Sequence, residues 1–277
     1  MDKLVSTEWL AARLDTDDLV ILDASLHLPD ENRDARAEFA KGHIPGARFL
    51  DLGSFVDSDS EVPKAVPTAE QFVARMGELG VAPGSRIVLY DDSAIRSSAR
   101  AWFLLTRYGE SKVAILDGGL GKWRMEGRRL SDRIVTHAPR HRAEAEATRT
   151  VRSKAEMLAN IDARDWQVAD ARDAARFQGR PGSGSEGHIP GARNLHFTRL
   201  FHEDGTYISP EAIRSEFEQA GIDPERPVVT SCNSGMTASV LLFALGLIGV
   251  HDAALYDGSW LEWGADPEAP KESGETR

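Results

Sequence analysis

The chain carries the same phrase twice. The run "KGHIPGARFLDL" at 41–52 returns as "EGHIPGARNLHF" at 186–197, 145 residues later, with seven consecutive identities. Identity at a spacing of about half the chain marks an internal duplication. Flanking landmarks keep order and spacing: "LVILDAS" (19–25) matches "WQVADAR" (166–172), "GVAPGSRIVLYDD" (80–92) matches "GIDPERPVVTSCN" (221–233), and "ILDGGLGKW" (115–123) matches "LYDGSWLEW" (255–263). The chain is therefore expected to fold as two copies of one domain, at 1–135 and 150–277, joined by the charged, weakly periodic segment 131–153.

Within each copy, short β-branched runs such as "RIVLY" and "PVVTS" alternate with amphipathic segments such as "TAEQFVARMGELG" and "SPEAIRSEFEQAG". The latter open on Thr or Ser and place an acid in the first turn, as helix starts do. Such alternation predicts an α/β domain with a mostly parallel central sheet and helices on both faces. The polar end, "DPEAPKESGETR" (266–277), reads as frayed.

Charge and cysteine usage then narrow the function. A net charge of -11 over 277 residues supplies no basic field for nucleic acid or an anionic membrane, so an anionic ligand has to meet a local cluster of Arg or Lys. The longest apolar stretch, "SVLLFALGLIGV", is too short to span a bilayer and reads as a buried helix. The acidic start "MDKLVSTEWLAARLD" lacks signal-peptide character, and one cysteine permits no internal disulfide. A cytoplasmic protein is expected.

That single cysteine, Cys232, follows the apolar run "PVVTS" and precedes the helix-like "TASVLLFALGLIG". It thus falls where a buried strand ends and a helix begins, the place where open α/β sheets bind ligands. Consecutive amides in such a turn, together with the helix start, favour thiolate over thiol. Ser234 and Thr237 add hydroxyls, and Gly235 supplies a permissive backbone. The matching residue of the first copy is Asp91, so the fold itself does not require the thiol. A thiol sealed off from solvent would count against such a site.

These residues together resemble the two-domain sulfurtransferases, rhodanese and 3-mercaptopyruvate sulfurtransferase. The likeness runs over about 5–265 and rests on the doubled "GHIPGA", the "DGG" and "DGSW" endings, and a cysteine in the second half only. It implies ping-pong catalysis in which Cys232 takes a sulfane sulfur as a persulfide and hands it to cyanide, a thiol or a thioredoxin-like acceptor. It implies no cofactor and no metal. The loop Cys232-Asn233-Ser234-Gly235-Met236-Thr237 is similar to the Cys-Gly-Ser-Gly-Val-Thr pattern of the mercaptopyruvate enzymes at Cys232, Ser234, Gly235 and Thr237, and departs from it at Asn233 and Met236. It lacks the Arg and Lys that rhodaneses place there for dianionic thiosulfate.

On the same resemblance Ser234 joins Cys232 in catalysis, and the other loop residues contact the donor. Within "DARDAARFQGRPG" (170–182), Arg176 and Arg180 match the arginines that hold the donor's carboxylate and carbonyl. The first-domain Asp and His that some relatives use as a proton relay are replaced by Gly53 and Lys64, a departure from the pattern. His43 and His188 occur in both copies, which favours a structural role, and the tryptophans read as packing groups, with Trp260 or Trp263 a candidate for the cleft lining. Three rivals remain: thiosulfate as the preferred donor, a non-enzymatic persulfide carrier or redox sensor, and a cysteine phosphatase. The phosphatase loop needs an arginine where this chain has Ala238.

Overall fold

The computed structural model describes residues 1–142, 145–148 and 151–274. The chain divides into two compact units. One gathers Met1–Asp57, Val66–Thr148 and Phe201–Tyr207; the other gathers Ser58–Ala65, Arg149–Leu200 and Ile208–Arg277. Each contains a five-stranded sheet. The first sheet is built from β1 (Leu4–Val5), β2 (Leu19–Asp23), β3 (Arg48–Phe49), β4 (Arg86–Tyr90) and β5 (Val113–Leu116), in the order β1-β5-β4-β2-β3. The second is built from β6 (Val151–Arg152), β7 (Gln167–Asp170), β8 (Arg193–Asn194), β9 (Val228–Ser231) and β10 (Ala253–Tyr256), in the equivalent order β6-β10-β9-β7-β8. Every strand pair in the two ladders is parallel. Parallel neighbours need crossover connections, and the intervening helices supply them.

Helix starts follow the local chemistry read from the sequence. The Thr68 hydroxyl accepts from the Gln71 amide while the Gln71 side chain accepts from the Thr68 amide, a reciprocal cap. Ser209 caps the helix Pro210–Gln219, with proline in the first turn, where a missing N–H costs nothing. The apolar run in the second half forms the helix Ala238–Leu247, buried from Ala238 through Gly246. Among the described residues, no helix is long and apolar enough to cross a membrane.

The repeated "GHIPGA" serves packing in both units. His43 stacks on Phe39 with ring centroids 4.0 Å apart, and its Nδ1 lies 2.7 Å from the Phe39 carbonyl. His188 stacks on Phe177 at 3.7 Å, and its Nδ1 lies 2.8 Å from the Phe177 carbonyl. Both imidazoles are buried. Trp263 is likewise a core residue whose indole N–H donates to the Pro270 carbonyl, as that of Trp123 donates to Arg129 in the first unit.

Residues 131–142 and 145–148 of the connecting segment lie with the first unit. Ser131 bridges to His43, Arg140 bonds to Gly77, the buried Arg142 pairs with Glu110, and Thr148 bonds to Arg107. Residues 143, 144, 149 and 150 of that segment are outside the described residues.

The chain end overturns an expectation. Instead of fraying, 266–274 docks on the second unit. His188 and Glu272 exchange backbone hydrogen bonds, Gly274 donates to the Gln178 carbonyl, and Ala269 is buried. At Gly187 a Cβ would run into the Glu272 carbonyl, so only glycine permits the approach. A polar composition hid this docking because main-chain groups make most of it. Residues 275–277 lie outside the described residues.

The turn leading to "GHIPGA" is pinned by a buried ion pair. The Arg172 guanidinium, 1% exposed, donates to both carboxylate oxygens of Asp170 at 2.6–3.0 Å, to the Ser185 hydroxyl and to the Gly187 carbonyl. Removing one partner of such a pair strands the other in a low dielectric. Arg172→Ala should therefore cost about 3–5 kcal/mol in urea unfolding, and a loss under about 1 kcal/mol would contradict this account.

Candidate active site

Parallel strands send their carboxyl ends to one edge, and in the second unit that edge collects the residues singled out from the sequence. Cys232 follows β9 directly, and Arg176 lies six residues beyond β7, its sheet neighbour, with Asp170 and Ser231 in register. The Ala171 amide donates to the Ser231 carbonyl and so ties the two exits together. Ser259 follows β10, which flanks β9 on the other side.

The cysteine loop is held from below by Ser259, which sequence reasoning missed. Its hydroxyl accepts from the Cys232 and Gly235 amides, each at 3.1 Å, and donates to the Tyr256 carbonyl at 2.8 Å. The Trp260 and Leu261 amides donate to the Cys232 and Asn233 carbonyls at 3.0 and 2.9 Å. Ser259 sits at φ 49, a left-handed conformation that a non-glycine residue tolerates only when its surroundings impose it. Its counterpart is Gly119 at φ 57. A serine in "DGSW" where the first copy has glycine in "DGGL" was the available signal. Gly235 also adopts a left-handed φ of 75, as its place in the turn requires.

With those groups committed, other donors of the loop are left unpaired. Among the described residues, the amides of Ser234, Met236, Thr237 and Ala238 meet no acceptor within the chain. The first unit shows what such a turn accommodates. There the Asp91 carboxylate occupies the turn, accepting from the Ser93 amide at 2.9 Å, the Ser93 hydroxyl at 2.9 Å and, at the opening of the helix Ser98–Arg107, the Ser98 amide at 3.0 Å. The Leu120 amide reaches the Asp91 carbonyl as Trp260 reaches that of Cys232. The turn that carries cysteine in one copy thus closes around its own anion in the other.

One expectation is not met. Cys232 is only 1% exposed, so the thiol does not stand open to bulk water. Ser234 is also buried, and its hydroxyl makes no hydrogen bond among the described residues, while Asn233, Met236 and Thr237 are partly buried at the loop surface.

Arg176 lies in the helix Ala174–Gln178, capped by Asp173, whose carboxylate accepts from the Arg176 amide at 3.0 Å and from its Nε at 2.5 Å. Burial acts to raise the Asp173 pKa, but the Arg176 amide and guanidinium outweigh it and hold the carboxyl below its usual range. With Nε committed, the two terminal nitrogens of Arg176 make no hydrogen bond among the described residues, which leaves a planar fork for a carboxylate. Arg180 sits on an exposed turn and donates through Nε to Gln178. Arg172, in contrast, is wholly committed and lies over the Trp260 ring at 4.5 Å. Trp260 packs in the core. Gly53 lies in the short helical turn Leu52–Ser54 of the first unit, and Lys64, exposed at φ 56, falls in the segment that counts with the second.

The chain is similar to known proteins over nearly its whole length. A Rhodanese-like domain model matches residues 6–126 and again 153–266. The 3-mercaptopyruvate sulfurtransferase of Mus musculus is 38% identical over 270 residues, covering 94% of this chain and 91% of that protein. The thiosulfate sulfurtransferase of Gallus gallus is 36% identical over 274 residues, covering 94% and 92%. The crystal structure of SseA from Escherichia coli, a 3-mercaptopyruvate enzyme, superposes with a TM-score of 0.86 at 34% identity, covering 94% of this chain and 99% of that one.

Replacing Ser259 by glycine removes the hydroxyl while retaining the conformation seen at Gly119. The loss of two hydrogen bonds to the cysteine loop should slow alkylation of Cys232 by the anionic reagent iodoacetate about tenfold. An unchanged rate would assign the Ser259 hydroxyl no part in holding the loop.

Proposed function

The chain belongs to the rhodanese-like family, and from that premise we propose that it is a sulfurtransferase that takes sulfur from 3-mercaptopyruvate onto Cys232 and passes it to a thiol, thioredoxin or cyanide acceptor. The Cys232 thiolate attacks the donor's sulfur, forming a sulfur–sulfur bond as the carbon–sulfur bond breaks. The departing pyruvate enolate takes a proton. An acceptor thiolate then attacks the outer sulfur and releases Cys232 as thiolate. The observation that carries this reading is the pair of matching turns: the one in the first unit is filled by the Asp91 carboxylate, and the one around Cys232 presents unpartnered amides. Preorganised donors of this kind stabilise charge with little reorganisation during reaction.

Donor choice follows from charge. The loop from Asn233 to Thr237 carries no cation, which disfavours a dianion, whereas Arg176 offers a bidentate fork for one carboxylate, with Arg180 as a second, more exposed contact. In this reading Ser234, two residues after the cysteine and with an uncommitted hydroxyl, exchanges a proton at the donor sulfur. Burial of the thiol limits the access of bulk water to the persulfide. A lone free cysteine suits the reducing environment of a cytoplasmic enzyme.

Under one acceptor, 3-mercaptopyruvate should give the higher kcat/KM. A preference for thiosulfate, the donor named for the chicken relative, would reverse the assignment, and a protein that loads one sulfur and stops would be a carrier. Cys232→Ser should abolish the 32-Da persulfide adduct seen by mass spectrometry, a mass that is simply that of one sulfur atom. Arg176→Ala should lower kcat/KM for 3-mercaptopyruvate by about a hundredfold, the scale of a charged hydrogen-bond pair, and should barely alter alkylation of Cys232 by iodoacetamide. Equal losses in both would make Arg176 a folding residue.

A further inference from the structure

The duplication allows each residue of the cysteine-bearing copy to be compared with its counterpart in the other. His43 and His188 recur and are structural, whereas His196, in "NLHF", stands where the first copy has Asp51 in "FLDL". Arg176 differs in the same way. It precedes the phenylalanine that stacks on the buried histidine, and the first copy has Glu38 at that place. A cation and an imidazole therefore replace two acids only in the half that holds the thiol.

The fold brings these two replacements together. His196 lies two residues beyond β8, the edge strand next to β7. The Leu195 amide donates to the Asp170 carbonyl at 3.0 Å, and that of Phe197 donates to the Ala171 carbonyl at 3.3 Å. The Asn194 side chain holds the Asp170 and Arg172 carbonyls at 3.1 and 2.7 Å. The run 194–197 is thus tied across the end of β7, against the turn that enters the Arg176 helix. The imidazole, partly buried, sets Nδ1 at 2.7 Å from the Thr198 hydroxyl and packs edge-on to Phe197 with centroids 5.0 Å apart. When Thr198 donates to Nδ1, the ring proton resides on Nε2, and Nε2 makes no hydrogen bond among the described residues. Asp173 and Arg176 are the charged groups that act on the ring; Arg199, on the same turn, is committed to Glu216.

We propose that His196 is a specificity residue for the donor: Nε2–H and the Arg176 fork together grip the carboxylate and adjacent carbonyl of an α-keto acid. The inference deepens the sulfurtransferase reading and rests on it. Burial acts first on His196 to lower its pKa, with Arg176 acting in the same direction and Asp173 opposing, so the free site holds a neutral ring through neutral pH. A bound carboxylate favours the imidazolium. Binding therefore takes up a proton as pH falls toward the imidazole range, and affinity for the anionic donor rises with acidity.

The test is a KM-against-kcat split for 3-mercaptopyruvate between about pH 8 and about pH 5.5, the window in which a histidine titrates. The wild type should show KM falling about tenfold toward acid, the size of one charge-assisted hydrogen bond. In His196→Gln, which can donate but cannot titrate, KM should stay flat while kcat keeps the wild-type pH profile. His196→Asn serves as the second variant should the glutamine protein fail to fold. A wild-type KM without the acid trend, or a variant that retains it, would overturn the role of His196 and leave the persulfide chemistry standing. A wild type that loads no sulfur from 3-mercaptopyruvate would instead overturn the donor assignment on which the inference rests.

Discussion

The site depends on how the turn after β9 spends its amides. A turn that satisfied every N–H internally would be a well-capped helix start and nothing more. Here Ser259 takes up the amides of Cys232 and Gly235, and Trp260 and Leu261 secure the loop carbonyls, so that the remaining donors stay unpaired among the described residues. Unpartnered donors beside a buried thiol are costly in isolation, because desolvated polar groups lose their hydrogen bonds to water. An anion at the sulfur cancels that cost. The left-handed φ of Ser259 is part of the same arrangement, since it places a hydroxyl where the first unit has only the hydrogen of Gly119.

The two units form an internal comparison with one architecture and two outcomes. Strand order, the buried histidine stacked on phenylalanine and the main-chain bond into the loop carbonyl are common to both. What differs is concentrated at the carboxyl ends of the strands. There the first unit carries acids, Asp91, Asp51 and Glu38, and the second carries Cys232, His196 and Arg176. Burial patterns preserve the scaffold, and exchanges at its rim change the chemistry, as expected when function is grafted onto a shared fold.

Much of this was legible in the sequence because its signals are local or repeated. The doubled heptapeptide gave the architecture, Thr68 and Ser209 the helix starts, and the passage from β-branched strand through "CNSGMT" to helix located the loop. What escaped depends on contacts far apart in the chain. Ser259 lies 27 residues beyond the cysteine whose amide it holds. The burial of Cys232 is likewise something that no run of residues around it reveals. The docked end escaped because its polar letters say nothing of main-chain pairing.

That docked end has a mechanical corollary. His188 is gripped from two directions: its ring meets the Phe177 carbonyl within the helix that carries Arg176, and its main chain pairs with Glu272. Gln178, at the end of that helix, receives the amide of Gly274. Residues 272–274 are therefore a brace for the helix of Arg176, and a chain cut before Glu272 would lose both pairings while keeping the main-chain bonds of the cysteine turn.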